Sequence, residues 1–263
     1  MLRRQFVTGL LMTVVLTVLL GFVYPLVVTG ISQVTMSKRA NGSLVTANGH
    51  VVGSSLIGQS FTDKAGNALV QYFQPRPSAT ATTPYNALAS GGSNYGPSNP
   101  NLIGNVPGVV TGADGRLLKT NVYATASDPY CLPVQATDKD GNDITDQAGN
   151  PVYEKNKDGS YVCDPNTVPE RTMAYRALNG LAADTLVPVD AVTSSASGLD
   201  PQISVANARL QAARVAKARN LTTGRVLEQI AAHTQGRQLG VLGEQTVNVL
   251  ELNLALDRLA PKS

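Results

Sequence analysis

From Gln5 to Ser37 the chain carries no Asp, Glu, Lys, Arg or His, and its central run reads FVTGLLMTVVLTVLLGFVYPLVVTGI. A helix rises about 1.5 Å per residue, so about 20 apolar residues cross the hydrocarbon layer of a bilayer. The apolar stretch from Phe6 to Ile31 is therefore long enough to span with some tilt. A cleaved signal peptide is the alternative. Its apolar part is normally only about 7–15 residues and ends at a small-x-small site. This run is longer and continues into Ser32-Gln33-Val34-Thr35-Met36, which predicts an uncleaved anchor over residues 1–37.

Within the anchor, Gly9, Thr13, Thr17 and Gly21 recur every four residues, and Pro25 continues the row. That spacing places small residues along one side of a helix, where another helix can approach closely in lipid. The other reading is that Gly and Thr are merely tolerated there. An uncharged, unbroken segment does not suit an ion path, which usually shows ionisable groups or broken backbone. Arg3 and Arg4 flank one end, and Lys38 and Arg39 the other. The positive-inside count is nearly tied, and the terminal amino group tips it towards a cytoplasmic N-terminus.

The remaining residues are enough for one sizeable core. Net charge is only +3, and the densest basic stretch, Arg214 to Arg225, reads as the solvated face of a helix, so no nucleic-acid partner is expected. Cys131 and Cys163 lack zinc or thioredoxin spacing. They form a disulfide if that part of the chain faces an oxidising compartment; two unrelated buried thiols are the alternative.

Asn41-Gly42 and Asn48-Gly49 are turn signals around short apolar pairs, Leu44-Val45 and Val51-Val52, which predicts short strands over residues 40–60. Pro75 and Pro77 hold Arg76 in extended chain. Residues 83–100 have almost no bulky apolar side chain and read as a long loop. Residues 102–185 read as a turn-rich lobe holding both cysteines. Beyond Pro201, apolar residues recur at helical spacing: Leu210 and Val215, then Val249, Leu252 and Leu256; Thr222 or Thr223 can cap the helix between them. A small β layer packed on C-terminal helices makes the soluble part α+β. The expected organisation is a 1–37 anchor, a first soluble part at 38–101, an inserted lobe at 102–185 and a helical second part at 186–263.

No catalytic signature is legible. There is no Gly-Lys dipeptide for a phosphate-binding loop, and His50 and His233 stand alone. Asp138, Asp140 and Asn142 resemble a calcium loop, but Asp143 and Gly149 stand where such a loop needs glycine and glutamate; a polar turn fits better, and no metal site is expected. Ser90, Gly91, Gly92, Ser93 and Asn94, with Arg76, are the candidates for a phosphate or carboxylate nest; a ligand-free tight turn is the alternative.

A set of motifs in fixed order resembles one family. They are Tyr24-Pro25-Leu26, Gly53-Ser54-Ser55-Leu56-Ile57-Gly58-Gln59, Phe73-Gln74-Pro75-Arg76-Pro77-Ser78, Pro84-Tyr85-Asn86 and Ala89-Ser90-Gly91-Gly92-Ser93-Asn94. Later come Pro188-Val189-Asp190, Ser195-Ala196-Ser197-Gly198-Leu199-Asp200, Arg214-Val215-Ala216-Lys217 and Val247-Asn248-Val249-Leu250-Glu251-Leu252-Asn253. The sequence is similar to the C subunit of the bacterial Kdp-type potassium-transporting ATPase, over roughly residues 5–101 and 186–259. The resemblance implies a non-catalytic, single-pass subunit in the cell membrane with an extracytoplasmic domain. It implies two partners, a channel-like potassium-binding subunit and an ATP-hydrolysing P-type subunit, with ATP belonging to the complex. The chain would assist assembly and ATP binding. A membrane-anchored extracytoplasmic ligand-binding protein or hydrolase is the competing reading. Interface candidates are Gly9, Thr13, Thr17 and Gly21 on the helix, and Tyr85, Asn86, Ser197, Gly198 and Asp200 in the loops.

Overall fold

The computed structural model describes residues 2–80, 83–92, 94–96, 136–146, 152, 154, 155, 157 and 167–260. Cys131, Cys163 and Ser93 lie outside them. The chain divides into two compact units, Met1–Leu56 and Ile57–Ser263.

The first unit is dominated by one helix, Leu2–Ala40, long and apolar enough to cross a membrane. It comprises α1 (Leu2–Val18), a π turn (Leu19–Val23) and α2 (Tyr24–Ala40). The π turn has a local cause. Pro25 lacks an N–H and its ring would press on the carbonyl of Gly21, so the ladder opens by one residue ahead of it. Thr13 Oγ1 donates to Gly9 O at 2.9 Å and Thr35 Oγ1 to Ile31 O at 2.8 Å, which satisfies hydroxyls on an otherwise apolar rod. After the helix, β1 (Leu44–Ala47) and β2 (His50–Ser54) form an antiparallel hairpin. Asn48 (φ 51) and Gly49 (φ 79) make its turn, with both residues in the left-handed region that a two-residue hairpin loop requires.

The second unit is built on helices. Among the described residues these are α3 (Val168–Asn179), α4 (Val189–Val192), α5 (Val205–Ala218), α6 (Thr223–Ala232) and α7 (Val249–Leu259). Three short strands, β3 (Gln202–Ser204), β4 (Thr234–Gln235) and β5 (Thr246–Asn248), form an antiparallel sheet in the order β3-β5-β4. Helices α5, α6 and α7 each start on a side-chain cap. Ser204, Thr222 and Asn248 accept from the amides of Asn207, Arg225 and Glu251. The core joins Ile203 and Val247 of the sheet to Ala212, Val215, Val226, Ile230, Leu252 and Leu256 of the helices, with Phe73 inserted among them.

The mixed α+β class is therefore present, but the strands against the C-terminal helices belong to residues 202–248 and not to the predicted hairpin. α3 is a helix inside the stretch read as turn-rich. A further difference concerns Arg214 and Arg219, predicted to face solvent. Arg214 is buried, and the Arg219 side chain is only 4% exposed. Arg214 donates to the carbonyls of Val70 and Tyr72, to Asn179 Oδ1 and to Gln211 Oε1. Burial lowers its pKa to about 10, which still leaves it charged at neutral pH. Arg219 pairs with Asp257 at 2.8 Å and lies over the Tyr72 ring, 4.9 Å from its centre.

These arginines are part of a device that threads an extended strand-like segment through the helices. Asn253 accepts from Phe73 N–H at 2.9 Å and donates to Phe73 O at 3.0 Å. Gln211 does the same for Gln74, at 2.7 and 3.0 Å. Buried backbone groups that no neighbouring strand pairs are satisfied by two side-chain amides. Replacing Gln211 or Asn253 by leucine leaves an N–H and a C=O orphaned, each costing about 1–3 kcal/mol. We expect a loss of about 2–4 kcal/mol in urea denaturation of either variant. Arg209→Leu, at an exposed position on α5, is expected to stay within about 0.5 kcal/mol of the parent.

Candidate functional site

The clamped segment leads directly into Pro75-Arg76-Pro77-Ser78. Two prolines keep the backbone extended, so Arg76 projects from a stiff rod. Its guanidinium reaches the loop that follows α4. Nη1 pairs with Asp200 Oδ2 at 3.2 Å, Nη2 donates to Ser194 O at 3.2 Å and Nε to Thr193 O at 3.4 Å. Asp200 is held in turn by the Gln202 amide at 2.9 Å. Ser78 Oγ donates to Gly198 O at 2.7 Å and accepts from Tyr85 N–H at 2.9 Å. Thr80 Oγ1 accepts from Asn86 N–H at 3.1 Å and donates to Thr83 O at 3.0 Å. The Tyr85 hydroxyl folds back to donate to Arg76 O.

The glycine-rich run closes the same clasp. Gly91 N–H and Ser90 Oγ both donate to Ser197 O at 3.0 Å. The two strands of loop approach so closely that side chains are excluded. A Cβ on Gly198 (φ 67) would lie 2.6 Å from Gly91 O and 2.7 Å from Thr80 Cγ2, and one on Gly92 would lie 2.8 Å from Ala196 O. On the other side, Gly58 N–H donates to Leu199 O at 2.8 Å.

Of the residues singled out from sequence, Arg76, Tyr85, Asn86, Ser90, Gly91, Gly92, Ser197, Gly198 and Asp200 thus converge in one place. Asn94 stands at the end of the loop in the left-handed region (φ 55). Gly9, Thr13, Thr17 and Gly21 belong to the other unit. In the sequence Ser78 and Gly58 stand only inside longer motifs and Thr80 in none, although two hydroxyls next to a Pro-rich run are a turn-making signal.

Chemically the clasp is a fastener. All three guanidinium donor groups of Arg76 point at the chain itself, and the Gly91 amide is taken by Ser197. The hydroxyls of Ser78 and Ser90 donate to carbonyls, Ser197 Oγ accepts from Leu199 N–H, and the carboxylate, Asp200, is engaged by Arg76 and Gln202. Among the described residues no group of three or more His, Cys, Asp or Glu side chains could hold a metal ion. The calcium-like stretch is a closed polar turn. Asp138 Oδ1 accepts from the amides of Asp140 and Asn142 at 2.9 Å, and the bonds from Asn142 hold its carboxyl below the usual range.

Comparison with known proteins bears on the whole chain. Residues 6–125 and 161–258 match the family model of the K+-transporting ATPase c chain, KdpC. The chain belongs to the KdpC family. A potassium-transporting ATPase KdpC subunit of Mycobacterium tuberculosis is 42% identical over 258 residues, 98% of this chain and 100% of its own length. Those of Koribacter versatilis and Methylibium petroleiphilum are 38% and 41% identical, covering 97% and 93% of their own lengths. As a KdpC protein the chain is a non-catalytic subunit, in keeping with a clasp that fastens loops. The family match continues to residue 125 and resumes at 161, closer together than the 101 and 186 limits drawn from the motifs alone.

Burial raises the Tyr85 phenol above its ordinary value of 10.0; the Asp200 carboxylate adds to this and Arg76 opposes it. The folded form therefore keeps the proton that the unfolded chain loses near pH 10. Stability from this group is complete below about pH 10 and is lost as pH rises through the folded value. Tyr85→Phe is expected to show a shallower fall in stability between about pH 9 and pH 11 than the parent, measured by urea midpoints. Gly198→Ala is expected to lower stability by about 1–3 kcal/mol, because it meets both a left-handed backbone and a carbonyl.

Proposed function

We propose that this KdpC chain is the accessory subunit of an ATP-driven potassium uptake complex, and that it docks through its membrane helix. The partners would be a channel-like potassium-binding chain and an ATP-hydrolysing P-type chain. In this reading the N-terminus is cytoplasmic and the second unit extracytoplasmic. Assistance to ATP binding then passes through assembly and not through contact with the nucleotide. The uncharged helix leaves the ion path to other chains.

The geometry of the small-residue row carries the proposal. In a regular α-helix each residue turns about 100°, so a spacing of four drifts about 40° per step. From Gly9 to Pro25 the row would wander about 160°, almost to the opposite face. The π turn at Leu19–Val23 inserts an extra residue and takes back roughly 100° of that drift. Thr17, Gly21 and Pro25 are thereby drawn back towards one line. A Cβ built on Gly9 or Gly21 meets nothing of this chain within 4 Å. The row is therefore open to another helix, and enlarging it does not disturb the chain's own packing. Among the described residues the clasp offers no nucleophile paired with a base, so nothing in it supports the hydrolase reading.

Gly9→Leu and Gly21→Leu are expected to reduce co-purification of the chain with the ATPase complex by about tenfold or more, consistent with losing close helix contact. The isolated variants should keep the parent's unfolding midpoint. Co-purification at parental levels would overturn the helix-docking reading.

A further inference from the structure

Leu88 is 99% exposed. Single exposed leucines are ordinary on protein surfaces; the frame that holds this one is not. Leu88 sits at the centre of a single 3₁₀ turn, Ala87–Ala89, and that turn is fixed from both sides. Asn86 Oδ1 accepts from Leu88 N–H at 3.0 Å, and Asn86 O accepts from Ala89 N–H at 3.0 Å. Asn86 N–H is tied to Thr80, itself 2% exposed. The preceding residue, Tyr85, stands in the left-handed region (φ 60), uncommon for an aromatic residue. It is kept there by Ser78 and by its own hydroxyl bond to Arg76 O. On the far side, Ser90 and Gly91 are fastened to Ser197.

The backbone that carries this apolar side chain is thus held in a fixed position by the clasp. The immediate neighbours, Ala87, Ala89, Ser90 and Gly91, are small and let another surface close around it. We infer that Leu88 is a docking knob that inserts into an apolar pocket on another protein chain of the same transport complex. Lipid is the less suitable occupant. Fixing a side chain in advance strengthens binding only where the receiving site has a shape to match, and a fluid bilayer has none. Membership in a family of ATPase c chains supplies the partner class. The inference rests on the subunit reading above, but on a different surface from the helix.

The test uses the full chain co-expressed with the other chains of the complex. A photo-reactive phenylalanine analogue at position 88 should form an adduct with another protein chain of the complex. An adduct with phospholipid, an adduct with a second copy of this chain, or no protein adduct would overturn the inference. Burying one leucine is worth about tenfold to a hundredfold in affinity. Leu88→Asp should therefore weaken recovery in the complex by at least about tenfold, with Leu88→Met within about twofold of the parent. The unfolding midpoint of the Leu88→Asp chain alone should be unchanged, because the side chain touches solvent. Normal assembly of Leu88→Asp alongside failed assembly of Gly9→Leu would sink the knob and leave the helix reading standing. The opposite pattern would do the reverse.

Discussion

Two side-chain amides hold the second unit together at its least obvious point. Phe73 and Gln74 run through the helical layer as extended backbone without a neighbouring strand. Their N–H and C=O groups are paired by Asn253 and Gln211. Because an unpaired buried backbone group costs as much as a lost hydrogen bond, this segment is buried only while those amides stay in place. Arg214 reinforces them by donating to Gln211 and to the carbonyls just upstream. The clasp starts from this point, since the next residues are Pro75 and Arg76.

The clasp converts that fixed entry into a fixed loop. A stiff proline-flanked rod places Arg76 against residues 193–200. At Gly92 and Gly198 the two loops then close to distances that tolerate no Cβ. The chemistry is that of positioning. It explains why serine, glycine and arginine gather here, with no nucleophile paired with a base among the described residues. The membrane helix solves a related problem by other means. A π turn ahead of Pro25 takes back part of the drift that a spacing of four accumulates in a regular helix.

Much of this could be read from the chain before any coordinates. The anchor, the Asn48-Gly49 hairpin and helices α5 and α7 follow from hydropathy, turn chemistry and periodicity. The clasp residues were flagged as loop residues, but which loop meets which was not legible, because Arg76 and Asp200 are far apart in sequence. α3 escaped for a physical reason. Its buried positions are Pro169, Thr172, Tyr175, Arg176 and Asn179, so no apolar stripe shows. β3, β4 and β5 are two or three residues long, too short for a period of two to register. Arg214 was misread because a basic residue on a helix is usually solvated. Nothing local reveals that distant carbonyls will receive it.

The dependence of the second unit on the amide clamp is open to direct measurement by hydrogen exchange on the intact chain. If Asn253 and Gln211 hold Phe73 and Gln74 as described, the amides of Phe73 and Gln74 exchange only with global unfolding, as slowly as those in the middle of α7. Exchange at rates typical of surface loops, with α7 still protected, would contradict the account.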